Sequence, residues 1–311
     1  MASRAALAAT RSLDILDYLA ANPSQGHTLT ELARNLDVNA SSMHGILAVM
    51  ADAGYVIRHP VHKTYRLGPV AAAIGQAAIA QDPIIEMAVE EIARLTRDFD
   101  MESVVLTALG EEMVVVARSG PPTGRFLSFI GQRWRHAPPM GSVFVAWAGD
   151  AAVDKWLGAA QPPLDAEGKR SFKQVLAQVR GDGRAVVIVD ENRWKLAADD
   201  GDEAVLTKAD GLITLFDPEQ MYRVFYIGYP VFNAFGEVVV GLFVNGPSAR
   251  LPVERINEVA QRLGEAASRV MNRTGGRPPG QPERRSPRRE SADSRRKTNP
   301  GRRSTVESAL T

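Results

Sequence analysis

Residues 28–68, TLTELARNLDVNASSMHGILAVMADAGYVIRHPVHKTYRLG, constrain the fold more than any other part of the chain. Thr28 followed by Glu31 is a capping box, in which each residue's side chain bonds the other's backbone N–H at a helix start. Leu29, Leu32, Ala33 and Leu36 then recur at helical spacing, giving one apolar face. Asn39 suits the N-cap of a second helix over 40–53, which turns Met43, Ile46, Leu47 and Met50 inward. Gly54 is placed to end that helix. Residues 55–58 and 63–67 then predict a two-stranded wing whose tip is His59-Pro60-Val61-His62. Helix, tight turn, helix and wing, in that order, is an architecture that inserts its second helix into the major groove of DNA.

The second helix leaves Ser41, Ser42, His44 and Gly45 at its open N-terminal end. Small polar residues allow close approach to a backbone, and a helix N-terminus favours phosphate. Candidate DNA contacts are Arg11, Thr28, Asn39, Ser41, Ser42, His44, Arg58, Lys63 and Arg66.

The rest of the chain of 311 residues is long enough for further domains. Its hydrophobic fraction of 45% supports a sizeable core. No apolar run approaches the roughly 18 residues of a membrane span, and residues 1–14 hold no run like the core of a secretory signal. There are no cysteines, which excludes disulfides, thiolate nucleophiles and Cys-ligated zinc and fits a cytoplasmic location. The net charge of +1 hides an asymmetry: residues 272–311 hold eleven Lys+Arg against four Asp+Glu, a net of +7, so the first 271 carry −6.

In chain order, 1–10 is expected to be disordered and 11–21 to form a helix beneath the DNA-binding unit, which spans 11–68 as a domain. Residues 69–82 hold an Ala-rich, nearly uncharged linker helix; it pairs either with a second copy, as a dimerisation helix, or with another helix of the same subunit. An amphipathic helix over 84–99 opens a domain spanning 83–272. Strands are predicted at 103–109, 113–118 and 125–130, helices at 142–148, 151–157 and 165–180, and a strand at 186–189. The acidic centre of 193–211 suggests an exposed insertion. Two strong strands at 222–232 and 237–244 and a long helix over 253–271 complete an α+β domain built on an antiparallel sheet. Residues 273–311 are rich in Gly, Pro, Ser and paired arginines and too poor in apolar residues to fold. Such a basic tail either attracts DNA phosphates or is solvated without a partner.

Six stretches together resemble the IclR family of bacterial transcription regulators: Arg11-Ser-Leu-Asp-Ile-Leu16, Leu29-Thr-Glu-Leu-Ala33, Ser41 through Val56, Tyr65-Arg-Leu-Gly68, His136 through Trp147 and Gly236 through Pro247. The resemblance implies an N-terminal winged helix-turn-helix, a linker helix and a C-terminal GAF-like effector domain. It implies a homodimer or dimer of dimers on double-stranded DNA, with a small organic effector, often a carboxylate or an aromatic. On that basis the candidate effector contacts are Trp134, Met140, Gly141, Phe144, Asp217, Tyr226, Gly228, Phe243 and Asn245. Two departures stand out. Ala40 and Gly45 occupy positions where the family usually carries basic residues, so the recognition helix is short of charge and the wing, or the tail, is expected to compensate. Tyr226, Phe243 and Asn245 fall where smaller residues are common, which points to a small or flat apolar effector, to none, or simply to aromatics filling a core.

No cofactor, metal site, membrane contact or catalytic residue is expected. His59 and His62 flank an exposed wing tip, and Asp199, Asp200, Asp202 and Glu203 read as solvated surface. His136 either orients a ligand or makes a structural hydrogen bond. Gly181-Asp182-Gly183 lacks the Lys-Ser/Thr helix of a phosphate loop, and no Ser/His/Asp arrangement supports a nucleophile. The expected function is a ligand-responsive DNA-binding regulator acting on paired half-sites. The alternatives are a ligand-independent DNA-binding protein using its basic tail and, more remotely, a small-molecule enzyme with a DNA-binding domain.

Overall fold

The computed structural model describes residues 4–23, 25–121, 128–189, 217–247 and 249–280. Helix α1 (Arg4–Ala21) begins seven residues before the expected start at Arg11, so residues 4–10 are helical rather than disordered. The reason is local: residues 5–9 read AALAA, and alanine is the strongest helix former. Thr10 and Ser12 satisfy their hydroxyls on the carbonyls of Ala6 and Ala8, both at 3.0 Å. Ile15 and Leu19 drop from α1 into the N-terminal core.

Strand β1 (His27–Thr28) leads into α2 (Leu29–Asn35), where the capping box is complete. The Thr28 N–H donates to the Glu31 carboxylate at 2.7 Å, and the Glu31 N–H to the Thr28 hydroxyl at 3.3 Å. Those bonds hold the Glu31 carboxyl below its usual range, the backbone bond to Thr28 being the largest cause. Asp37 turns the chain at φ 50°, and α3 (Ala40–Asp52) starts from Asn39, whose side-chain oxygen accepts the Ser42 N–H at 2.8 Å. Gly54, at φ 77°, releases the chain into β2 (Val56–Arg58) and β3 (Thr64–Leu67). Met43, Leu47 and Met50 of α3 close on Leu32, Val56 and Tyr65. Burying side chains of that size stabilises the unit by roughly 1.5–3 kcal/mol each. The short β1 pairs with β3, His27 opposite Tyr65, making the wing three-stranded. Two residues are too few to show an alternation in the sequence.

Helix α4 (Pro69–Gln81) is the expected linker helix, but no residue of it is buried. Helix α5 (Pro83–Phe99) follows, capped by Asp82. Next come β4 (Ser103–Leu109), β5 (Glu112–Ser119), β6 (Arg133–Arg135), α6 (Ser142–Val145), α7 (Asp150–Gly158), α8 (Ala166–Asp182) and β7 (Ala185–Ile188). The chain then runs through β8 (Met221–Tyr222), β9 (Val224–Phe232), β10 (Val238–Asn245), β11 (Leu251–Pro252) and α9 (Val253–Thr274).

Six strands form an antiparallel sheet in the order β6-β5-β4-β10-β9-β7. Strand alternation assigns its faces. Val105, Leu242 and Val244 meet α5 and α9 on one face, whereas Val104, Leu106 and Phe243 meet α6, α7 and α8 on the other. A register shift opposite Val105 and Leu106 reverses β5, so Val115 and Ala117 point to opposite faces although two residues apart. Helices α5 and α9 are clamped by buried Glu91, which accepts Arg269 Nη2 at 2.8 Å and Arg94 Nη1 at 2.9 Å.

Two expectations need correction. Among the described residues the third strand is β6, paired with β5. Residues 128–130 are outside any strand, because Gly131, at φ 87°, and Gln132 form a turn in which Gln132 N–H donates to Phe129 O at 3.0 Å; residues 122–127 lie outside the described residues. At the other end, residues 273–280 are ordered rather than part of a disordered tail. Helix α9 runs to Thr274, ends at Gly275, and the Arg277 N–H then bonds Asn233 O at 3.2 Å on the β9–β10 turn. The acidic stretch within 193–211 and the tail over 281–311 lie outside the described residues.

Candidate DNA-binding surface and ligand cavity

Asn39, Ser41, His44 and Gly45 are exposed on the free side of α3 and Ser42 is half-buried, all away from the Met43, Leu47 and Met50 face. A Cβ added at Gly45 would meet nothing within 4 Å, so the missing basic residue leaves open space. No acidic residue occupies the first turn of α3, and its N-terminal N–H groups face outward with the positive end of the helix dipole. The helix thus presents a small, polar, uncharged reading edge.

The wing divides its charges. Arg58 stands opposite Tyr65 in the β2–β3 ladder and Arg66 opposite Ile57, so the two arginines point to opposite faces. Arg58 lies over the Tyr65 ring, 5.7 Å from its centre. Lys63 sits at the turn, at φ 55°, and the exposed His59 accepts the Val61 and His62 N–H groups through Nδ1 at 3.2 and 3.1 Å. That ring is a turn-former, and among the described residues no group of three or more His, Asp or Glu could hold a metal. Arg11 lies half-buried on α1, and Thr28 is spent on its cap. Of the predicted set, Ser41, His44 and the wing cations are therefore presented, whereas Asn39 and Thr28 shape helix starts.

A cavity of about 40 Å³ opens on the opposite side of the molecule's sheet from α5 and α9, lined by Val104, Leu106, Met113, Val115, Ser128, Trp134, Met140, Gly141, Phe225, Tyr226, Phe243 and Asn245. Trp134, Met140, Gly141, Tyr226, Phe243 and Asn245 were predicted; Phe144, Gly228 and Asp217 do not line it. Phe144 stands behind Phe243, ring centres 6.4 Å apart, and Gly228 makes room for that ring. Asp217 is exposed in a turn, accepting the Glu219 N–H at 3.1 Å and Gln220 Nε2 at 3.0 Å. Ser128 and Phe225 line it unpredicted, as do the strand residues Val104, Leu106, Met113 and Val115. Their alternation within two strands was the available signal, but it does not say which face holds a void.

The polar end of the cavity is built from a network. Asn245 Nδ2 donates to Glu102 Oε2 at 2.7 Å and to Ser128 Oγ at 3.1 Å. Glu102 is fully buried and also accepts Arg118 Nη2 at 2.7 Å. A carboxylate only accepts, so this contact fixes which end of the Asn245 amide is nitrogen. Tyr226 stands beside Asn245, its cross-strand partner, and burial pushes its phenol up to about 12 while the Ser142 hydroxyl partly offsets this. The phenol therefore keeps its proton at neutral pH. Gly141, at φ 87°, is required where it stands: a Cβ would lie 2.2 Å from His136 Cδ2. The His136 ring packs edge-on against Phe144 at 5.9 Å, and burial lowers its pKa below the ordinary 6.5.

Strand β6 joins the two regions. Trp134 lines the cavity, and neighbouring Arg133 bonds Glu112 at 2.7 Å and Asp17 of α1 at 3.1 Å. One residue thus separates the cavity wall from the helix beneath the DNA-binding unit.

Comparison with known proteins agrees with this architecture. Residues 8–60 match the IclR helix-turn-helix domain. The HTH-type transcriptional regulator BhcR of Paracoccus denitrificans (strain Pd 1222) is 27% identical over 262 residues, covering 83% of each chain. KdgR of Escherichia coli (strain K12) is 25% identical over 253 residues, covering 79% of this chain and 85% of KdgR. Among solved structures, an IclR regulator from Alicyclobacillus acidocaldarius superposes with a TM-score of 0.65 at 19% identity, over 86% of this chain and 98% of the other. An IclR homolog from Microbacterium hydrocarbonoxydans, complexed with 4-hydroxybenzoate, gives 0.59 at 17% identity, over 85% and 96%. The winged unit, the antiparallel α+β region and these sequence relatives lead to one conclusion: the chain is a DNA-binding transcriptional regulator that carries an IclR helix-turn-helix domain and is similar to IclR-type proteins along most of its length.

Proposed function

We propose that this regulator is ligand-responsive, acts as a dimer or dimer of dimers on paired operator half-sites, and takes a small organic effector in the cavity beside β6. The observation that carries the reading is the juxtaposition on β6. Trp134 faces the cavity and Arg133 holds α1, so a ligand that moves the wall is felt beneath the reading helix. Arg133 and Asp17 are partly exposed, and such pairs contribute about 0.2–1 kcal/mol. A link that weak fits a two-state equilibrium that a ligand shifts rather than a locked hinge. The related homolog that holds 4-hydroxybenzoate supports a small-molecule effector in this fold.

Dimerisation is supported by α4, which is almost entirely apolar and leaves Ile74 51% exposed. Exposed apolar surface next to a DNA reader is a natural pairing surface. A cytoplasmic, non-enzymatic role belongs to the same reading and is supported by relatives that are HTH-type transcriptional regulators. One observation favours the ligand-independent reading: a cavity of about 40 Å³ is far below the roughly 300–1,000 Å³ of sites for drug-sized ligands. Selecting operator fragments with the full chain and titrating them with and without candidate effectors separates the two. Ligand-dependent affinity supports the proposal, and identical curves with every ligand that binds the protein reject it.

A further inference from the structure

The cavity's chemistry goes further than its existence and, resting on the effector reading above, names the class of ligand. Asn245 stands at its polar end with Ser128 and Tyr226, and both hydrogens of its amide nitrogen are committed, one to Glu102 at 2.7 Å and one to Ser128 at 3.1 Å. What it has left for a ligand is Oδ1, an acceptor. Its cross-strand neighbour Tyr226 supplies a neutral phenol, and Trp134 an indole N–H. Among the described residues, the lining carries no Lys, Arg or His. An incoming carboxylate would exchange its hydration for neutral dipoles, with the negative end of the Asn245 amide turned towards it. The charge behind that amide is Glu102, already engaged by Arg118 at 2.7 Å. A hydroxyl group meets none of these penalties: it donates to Asn245 and accepts from a phenol or indole. Size narrows the class, because about 40 Å³ holds about three waters and lies well under the roughly 150 Å³ that takes up a benzene ring.

We infer that the cavity selects a small uncharged hydroxyl compound, a short-chain alcohol or diol, over the carboxylate of the same skeleton. Asn245 is the specificity-determining acceptor, Tyr226 the donor that receives the ligand oxygen, and Phe243 and Trp134 the walls that exclude larger rings.

The test is calorimetric titration of the full chain with two matched pairs, 1-propanol against propionate and propane-1,2-diol against lactate, at constant ionic strength. The alcohol of each pair is expected to bind at least about tenfold more tightly than its acid, and Asn245→Ser to weaken the alcohol about tenfold, as loss of one hydrogen bond implies. Met140→Ala, which leaves the polar end intact, is expected to keep the order within each pair and extend binding to 1-butanol. Tighter binding of the acids would overturn the inference and leave the cavity as an effector site. Alcohol binding indifferent to Asn245→Ser in a folded variant would overturn the role of Asn245. No binding of any probe by the wild type or by Met140→Ala would overturn the effector reading itself.

Discussion

Gly228→Ala tests whether the cavity wall is as tightly built as the packing implies. Gly228 faces Phe243 across the β9–β10 ladder. A Cβ there would lie 2.5 Å from Phe243 Cε1, 2.7 Å from Cδ1 and 3.1 Å from Val143 Cγ2. The ring has no retreat on its other edge, because the Gly241 Cβ position is 2.5 Å from Phe243 Cε2, and the Tyr226 ring stands 5.3 Å away. It must turn into the void of about 40 Å³ or push the strands apart. Overpacking of this kind costs about 1–3 kcal/mol. At roughly 2–4 °C per kcal/mol for a region of this size, Tm falls by roughly 2–12 °C. Scanning fluorimetry measures the drop, and the same instrument reads whether a ligand still stabilises the variant; filling the void is expected to abolish that response. A variant that melts with the wild type and still responds to ligand would refute the claim that two glycines hold the Phe243 ring as a wall.

Other outcomes follow from the same geometry. Asn39→Ala removes the cap of α3 and is expected to cost about 1 kcal/mol in chemical denaturation; it also weakens operator binding, because the first turn carrying Ser41 and Ser42 frays. Arg66→Ala is expected to reduce the slope of log affinity against log salt by about 0.9, the signature of one lost phosphate contact. Arg58→Ala is expected to destabilise the wing as well, by about 0.5–1 kcal/mol, because it uncovers Tyr65. The Tyr226 phenol is raised from 10.0 to about 12, so above pH 10 the unfolded chain ionises before the folded one. That part of the stability is therefore present below pH 10 and lost as pH rises towards 12. Tyr226→Phe is expected to flatten that alkaline loss in a pH series of melts, and an unchanged series would contradict the burial assigned to the phenol.

The DNA-binding unit was legible because its signals are local. Thr28 with Glu31, Asn39 and Gly54 each declare a helix end within a few residues, and each holds in the structure. The start of α1 lies before Arg11 because the alanines among residues 5–9 favour a helix without adding to its apolar periodicity. Of the strand expected over 125–130, residues 128–130 fall outside any strand and pairing resumes at Arg133–Arg135, because Gly131 takes a positive φ where its N–H bonds the Val115 carbonyl at 2.8 Å. The cavity was half legible. Aromatic residues at Tyr226 and Phe243 marked it, but Glu102 became visible as its electrostatic floor only when the strands brought it 2.7 Å from a residue 143 positions away. Placing the wing arginines on opposite faces likewise required the β2–β3 register.

Ligand-controlled binding to paired half-sites is what would join the cavity to the reading helices. The most direct measurement is nuclease footprinting of the full chain on selected operator DNA, with and without a cavity ligand. Two protected half-sites are expected, their centres one helical turn of about 10–10.5 base pairs or a multiple apart, and their protection is expected to change when the ligand is added. A single unpaired footprint, or paired footprints that no cavity-binding ligand alters, would contradict it.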